Sequence, residues 1–167
     1  GANGDDSESA RPYIEGLVVR EFSSVASNWR AGETAEEFLA GKGIPVAAEI
    51  DARRLVRHLR TRGVMRGVLS TRGGDPKELV EKARGIPSMA GLDLATRVSV
   101  DKPYTWETTV KPCSPSEEFA GGRPQTFHVV AYDFGIKRNI LRRLVYYGCR
   151  VTVVPSQTTA EDVLALN

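Results

Sequence analysis

Hydrophobic positions in the last third of the chain run from one period to another without a break. Phe127 to Phe134 is an almost continuous apolar run, which predicts a strand buried on both faces of a parallel sheet. Ile136, Ile140, Leu141, Leu144 and Val145 then recur at helical spacing and make one apolar stripe. Gly148 stands where a helix end asks for a left-handed residue. Val151 to Val154 supplies a second strand, closed by Pro155. The pattern predicts a βαβ unit with a right-handed crossover. Such sheets bind ligands beyond the carboxyl ends of their strands, which puts Tyr132, Asp133, Phe134 and Gly135 at the edge of any site. Thr158-x-x-Glu161 reads as a capping box opening a further helix with Val163, Leu164 and Leu166.

The first hundred residues alternate in the same way. Ile14 to Phe22, Val46 to Ile50 and Val64 to Leu69 are strand candidates. Thr34-x-x-Glu37 caps a short helix carrying Phe38 and Leu39, ended by Gly41 and Gly43. Asp51 caps a helix over Ala52 to Arg62, where Ala52, Leu55, Val56 and Leu59 form one face, and Gly63 stops it. Asp75 with Pro76 and Glu78 opens another, containing Leu79, Val80 and Ala83. Strands alternating with helices predict an α/β module over residues 1–100. In residues 101–125 Pro103, Pro112, Pro115, Pro124, Gly121 and Gly122 interrupt any period. That stretch reads as an interdomain linker, with Tyr104, Trp106 and Phe119 as aromatic anchors. Residues 126–167 then start a second domain.

Two parallel strands cannot cover both faces of a sheet, so the sequence is expected to end inside a domain. Gly1 is not an initiator methionine and GANGDDSES reads as a loop. The chain is therefore expected to be a fragment of a longer polypeptide.

Composition removes several classes of function. A net charge of +2 over 167 residues is too small to imply nucleic acid or an acidic partner. No apolar run reaches the roughly 18–20 residues that span a bilayer, and there is no signal peptide, so no membrane role and a cytoplasmic location are expected. Cys113 and Cys149 are too few for a disulfide framework or a cysteine-rich zinc site, and no metal ligand set stands out.

Candidate chemistry is sparse. Cys149 enters a strand just after a helix, whereas a nucleophile on an α/β sheet occupies a strand-to-helix elbow such as Gly-x-Cys-x-Gly. It reads as a buried, apolar-like thiol. Cys113, between Pro112 and Ser114, has no local base. His58 lies on the polar side of its helix and His128 begins a strand, so both read as structural. Arg53, Arg54, Arg57, Arg60 and Arg62 make one helix strongly basic. A solvated face is the favoured reading, against an anion or nucleic-acid face or a protein contact. Lys137, Arg138, Arg142 and Arg143 decorate the helix after Asp133, but the turn lacks GxGxxG and a Walker pattern. Asp133, Lys137 and Asn139 either position a loop at the strand ends or form a helix cap and solvated first turn.

VVAYDFGIKRNILRRLVYYGCRVTVVPSQTTAEDVL resembles the start of the class I glutamine amidotransferase domain in the carbamoyl phosphate synthetase small-subunit family. GLVVREFSSVASNWR, GIPVAAEIDARRLVRHLRTRG, GLDLATRVS and YTW match earlier segments of that family in the same order. The resemblance implies a partial N-terminal α/β domain linked to the first β-α-β-α of a flavodoxin-like, parallel-sheet amidotransferase domain. It implies a cytoplasmic heteromer in which the small subunit hydrolyses glutamine. Ammonia then passes to a large subunit that uses bicarbonate, ATP and magnesium to make carbamoyl phosphate for pyrimidine and arginine synthesis. The family's Cys-His-Glu triad and glycine-rich oxyanion loop correspond to sequence beyond Asn167, and its glutamine-contacting serine to sequence before Gly1. No catalytic or glutamine-binding residue is carried over, no cofactor is expected in this chain, and the fragment is expected to be inactive alone. The rival reading is a non-catalytic scaffold or regulatory module that retains the fold.

Overall fold

The computed structural model describes residues 1–109 and 127–166. Pro112, Cys113, Pro115, Phe119, Gly121, Gly122 and Pro124 lie outside the described residues. The chain has an α/β fold in two compact units, Gly1–Gly91 and Leu92–Asn167. The division falls ahead of the boundary expected at residue 100, because residues 92–100 pack with the second unit.

In the second unit, three strands form one sheet. They are β3 (Tyr104–Trp106), β4 (Phe127–Asp133) and β5 (Cys149–Pro155), in the order β3-β5-β4. β4 and β5 are parallel in an unbroken register from Phe127 opposite Cys149 to Asp133 opposite Pro155. Between them runs α4 (Arg138–Tyr146), so the βαβ unit is present. Leu141 on α4 is fully buried against Val151 and Val153, with Leu144, Val145, Trp106 and Ala131 around them. Ile136, Leu141, Leu144 and Val145 thus cover one face of the central strand, whereas Ile140, placed on the same stripe from sequence, stays exposed. Gly148, at φ +83, ends the helix in the left-handed conformation that the sequence suggested.

Three expectations for this unit change. β5, not β4, is the strand buried throughout its middle, because it alone has neighbours on both edges. The supposed linker begins with a strand: Tyr104–Trp106 pairs antiparallel with Val151–Val153, and Trp106 anchors in the core. The sheet therefore mixes orientations. Finally, the cap of α5 (Ala160–Leu164) is Thr159, whose hydroxyl oxygen accepts from the Asp162 N–H at 3.2 Å. Thr158 is unavailable as the cap because its hydroxyl donates to the Pro155 carbonyl at 2.8 Å.

The first unit holds α1 (Ala35–Gly41), α2 (Ala52–Arg62) and α3 (Pro76–Gly85), with the caps Thr34, Asp51 and Asp75 foreseen from sequence. Thr34 and Glu37 form the complete capping box. The Thr34 backbone and side-chain bonds hold the Glu37 carboxyl below its ordinary value. The strands are much shorter than expected: β1 (Leu17–Val18) pairs in parallel with β2 (Val46–Ala47), and Val64–Leu69 forms no strand. Apolar residues make a strand only where a ladder partner and a covered face exist, and Val64, Val68 and Leu69 remain exposed. Leu39 and Ile44 are the buried apolar residues described in this unit.

Leu141→Ala is expected to destabilise the second unit by about 2–5 kcal/mol, since the lost side chain leaves a cavity under β5. Gly148→Ala, which forces a Cβ into the left-handed region, should cost about 1–2 kcal/mol. Urea unfolding followed by tryptophan fluorescence measures both, because Trp106 lies against that core.

Candidate functional site

Aligned parallel strands bring their last residues to one edge, and the sharpest polar arrangement in the second unit lies there. Asp133 is the last residue of β4 and is 5% exposed. Its Oδ1 accepts the N–H groups of Gly135 and Ile136 at 2.9 and 3.0 Å, folding the chain into a tight turn before α4. Its Oδ2 accepts the Val100 N–H at 3.0 Å, tying down a segment 33 residues earlier. A buried carboxylate is costly unless it is hydrogen-bonded, and three amides do that here without a cation.

The turn admits little substitution. Gly135 has φ +90, and a Cβ there would come within 3.2 Å of Val98 Cγ2. Two more bonds hold the residues before Val100 against the same edge. The Ser156 N–H donates to Ser99 Oγ at 2.8 Å, and Gln157 Nε2 donates to Thr96 Oγ1 at 3.2 Å. Thr96 in turn donates from its hydroxyl and its N–H to Asp93. Those two bonds, the hydroxyl first, hold the Asp93 carboxyl below its ordinary value. Residues 93–100 thus form a strap across the carboxyl ends of β4 and β5. Tyr132 and Phe134, at the end of β4, stack with ring centroids 6.2 Å apart.

Known proteins resemble the chain along its whole length. Residues 1–69 match the family described as "Carbamoyl-phosphate synthase small chain, CPSase domain". The carbamoyl phosphate synthase small chain of Syntrophotalea carbinolica is 46% identical over 167 residues, covering 100% of this chain and 44% of that protein. That of Escherichia coli is 42% identical over 175 residues, covering 100% of this chain and 44% of that protein. The chloroplastic small chain of Oryza sativa is 46% identical over 167 residues, covering 99% of this chain and 37% of that protein. The chain is thus similar along its whole length to carbamoyl phosphate synthase small chains. It spans less than half the length of each of these relatives.

The three residues singled out for positioning lie between the end of β4 and the first turn of α4 but differ in engagement. Asp133 is at the centre of the hydrogen bonds described above. Lys137 is exposed and takes the N-cap position of α4 without a side-chain cap bond. Asn139 is exposed on the first turn of that helix. The sequence marked Asp133 by its place at the carboxyl end of a predicted strand. Ser99, Thr96 and Gln157 went unnoticed, because their partners lie 57 and 61 residues away.

Cys149 and His128 are kept apart. Cys149 is half-buried against the core at the amino end of β5. His128 bonds Thr152 Oγ1 across the ladder at 2.9 Å. Cys149 pairs in register with Phe127 and His128 with Arg150, so alternation places Cys149 and His128 on opposite faces of the sheet. His58 is exposed on α2 in the first unit. Among the described residues no group of three or more His, Cys, Asp or Glu side chains could hold a metal ion. What this edge can do chemically is hold backbone in place.

Asp133→Ala should lower the stability of the second unit by about 1.5–3 kcal/mol, the range for hydrogen bonds to a charged group, and should loosen the strap. Amide hydrogen exchange at Val100 and Ile136 reads that loosening directly. Tyr104 offers a second check. Partial burial, and after it the charge of Asp133, hold its phenol above the ordinary tyrosine value, while Arg138 pulls it down. A phenol raised in the folded state contributes stability that is complete below its unfolded value and lost as pH rises through the folded one. Ultraviolet titration should therefore show a late-ionising phenol that disappears in Tyr104→Phe and ionises earlier in Asp133→Asn.

Proposed function

We propose that the chain is part of the glutamine-hydrolysing small subunit of a carbamoyl phosphate synthase. In this reading the complete small subunit releases ammonia from glutamine and delivers it to a large subunit. The large subunit combines it with bicarbonate, using ATP and magnesium, and the product feeds pyrimidine and arginine synthesis in the cytoplasm. The observation that carries the reading is similarity of 42–46% identity along the whole chain to proteins named as small chains. The absence of any helix long and apolar enough to cross a membrane, among the described residues, is consistent with it.

Residues 1–167 contribute scaffold to this chemistry. The strap, the Asp133 turn and the parallel strand ends supply a rigid edge on which a reactive loop can be seated. Catalysis by a nucleophile and base needs the two within hydrogen-bond reach. Cys149 and His128, on opposite faces of their sheet, are not so placed. That separation also fits the rival reading, a scaffold or regulatory module without chemistry of its own. Coding sequence beyond Asn167 discriminates the two: a Gly-x-Cys-x-Gly elbow followed by a His-x-Glu pair supports the enzyme.

Ammonia release from glutamine is the direct measurement. Residues 1–167 alone should give the buffer rate. The complete small chain, assayed with its large chain, should release ammonia in proportion to carbamoyl phosphate formed. Turnover by residues 1–167 alone would refute the scaffold role, and a complete chain inert toward glutamine would refute the amidotransferase role.

A further inference from the structure

Three consecutive residues of the strap reach two different strand ends. Val98 lies against Gly135, close enough that a Cβ there would meet its Cγ2 at 3.2 Å. The Val100 N–H donates to Asp133 Oδ2 at 3.0 Å. Both contacts fall at the end of β4 and on the turn that follows it. Between them, the Ser99 hydroxyl oxygen accepts the Ser156 N–H at 2.8 Å, on the turn that follows β5. Val98, Ser99 and Val100 are half-buried, whereas residues 93–97 are exposed. One short peptide therefore holds the two carboxyl-end turns to each other.

The β5 turn leaves that amide to Ser99. Its own bonds close on Pro155: the Thr158 N–H and the Thr158 hydroxyl both donate to the Pro155 carbonyl, at 3.1 and 2.8 Å. Ser156 lies one residue past the ladder, which ends with Pro155 opposite Asp133. A side chain from 57 residues earlier thus supplies the acceptor.

The bond stands apart from what stabilises the unit. Apolar burial here centres on Leu141 against Val151 and Val153, and one neutral hydroxyl–amide bond adds little beside it. Its place, in contrast, is the place where sheets with parallel strands hold their ligands, beyond the carboxyl ends. Reacting groups seated on such an edge lose rate steeply when displaced by about 1 Å. A bond that fixes the turn contributes to rate more than to stability.

We propose that Ser99 is a positioning residue for glutamine hydrolysis in the complete small subunit. Its hydroxyl sets the β5–α5 turn against the Asp133 turn, and so sets the edge on which the glutamine site is assembled. The role rests on the functional reading above; the bond itself does not. Ser99 acts through the Ser156 backbone and not on a reacting atom. Its loss should therefore appear in turnover and leave glutamine binding nearly unchanged.

The test compares Ser99→Val with Ser99→Thr in the complete small chain, assayed with its large chain. The two replacements are alike in shape, and only the second keeps a hydroxyl. Ser99→Val should lower kcat for ammonia release about fivefold or more, with KM within about twofold. Ser99→Thr should hold kcat within about twofold of wild type. Amide hydrogen exchange at Ser156 should quicken in Ser99→Val and not in Ser99→Thr. Ser70→Ala removes a hydroxyl that donates to the Gly73 carbonyl at 3.1 Å in the first unit, and should leave kcat within about twofold. Where Ser99→Val does not fold by circular dichroism, Ser99→Ala takes its place with the same expectation. Equal kcat in Ser99→Val and Ser99→Thr, a KM that rises as far as kcat falls, or unaltered exchange at Ser156 would each overturn the proposal. So would an equal loss of kcat in Ser70→Ala. A wild-type chain inert toward glutamine would overturn the functional reading and this role with it, so the wild-type rate tells the two failures apart.

Discussion

The second unit depends on Leu141 being pressed onto Val151 and Val153. That contact takes the apolar stripe of α4 out of water and makes β5 the strand about which the unit is organised. Once β5 is central, β4 pairs with it in parallel over seven residues, and the register is fixed because a one-residue slip would turn Val151 and Val153 away from the helix. The aligned register brings Asp133 level with Pro155 at the carboxyl edge. Burial in the core thus decides where the polar edge forms.

At that edge the dominant constraint becomes hydrogen-bond satisfaction. Asp133 can be buried because the Gly135, Ile136 and Val100 amides reach it. Gly135 permits the reach, and Val98 closes the space a larger residue would need. Ser99 with Ser156, and Thr96 with Gln157, extend the same tie over β5.

The first unit follows a different balance. Its helices are well capped, yet its described core is thin, and α2 keeps both its apolar stripe and its arginines exposed. Local order there comes from caps and turns more than from packing. Surfaces of this kind gain most from a partner, because the cost of leaving apolar area and like charge in water has not been offset within the unit.

Several local signals were readable from the chain. The caps at Thr34, Asp51 and Asp75 and the glycine after α4 each follow from a side chain, or the lack of one, acting on backbone within about four residues. Only tertiary structure decided that Tyr104–Trp106 is a strand, that Val64–Leu69 is not, and that β5 rather than β4 is buried. It also moved the last cap from Thr158 to Thr159, once the Pro155 carbonyl had claimed the Thr158 hydroxyl. The physical reason is common to all four. A strand exists by virtue of its neighbour, and a hydroxyl serves whichever backbone group the fold brings to it. The Asp133 edge combines the two levels. Its turn is written in Asp-Phe-Gly, but its grip on Val100 spans 33 residues and exists only after the core has closed.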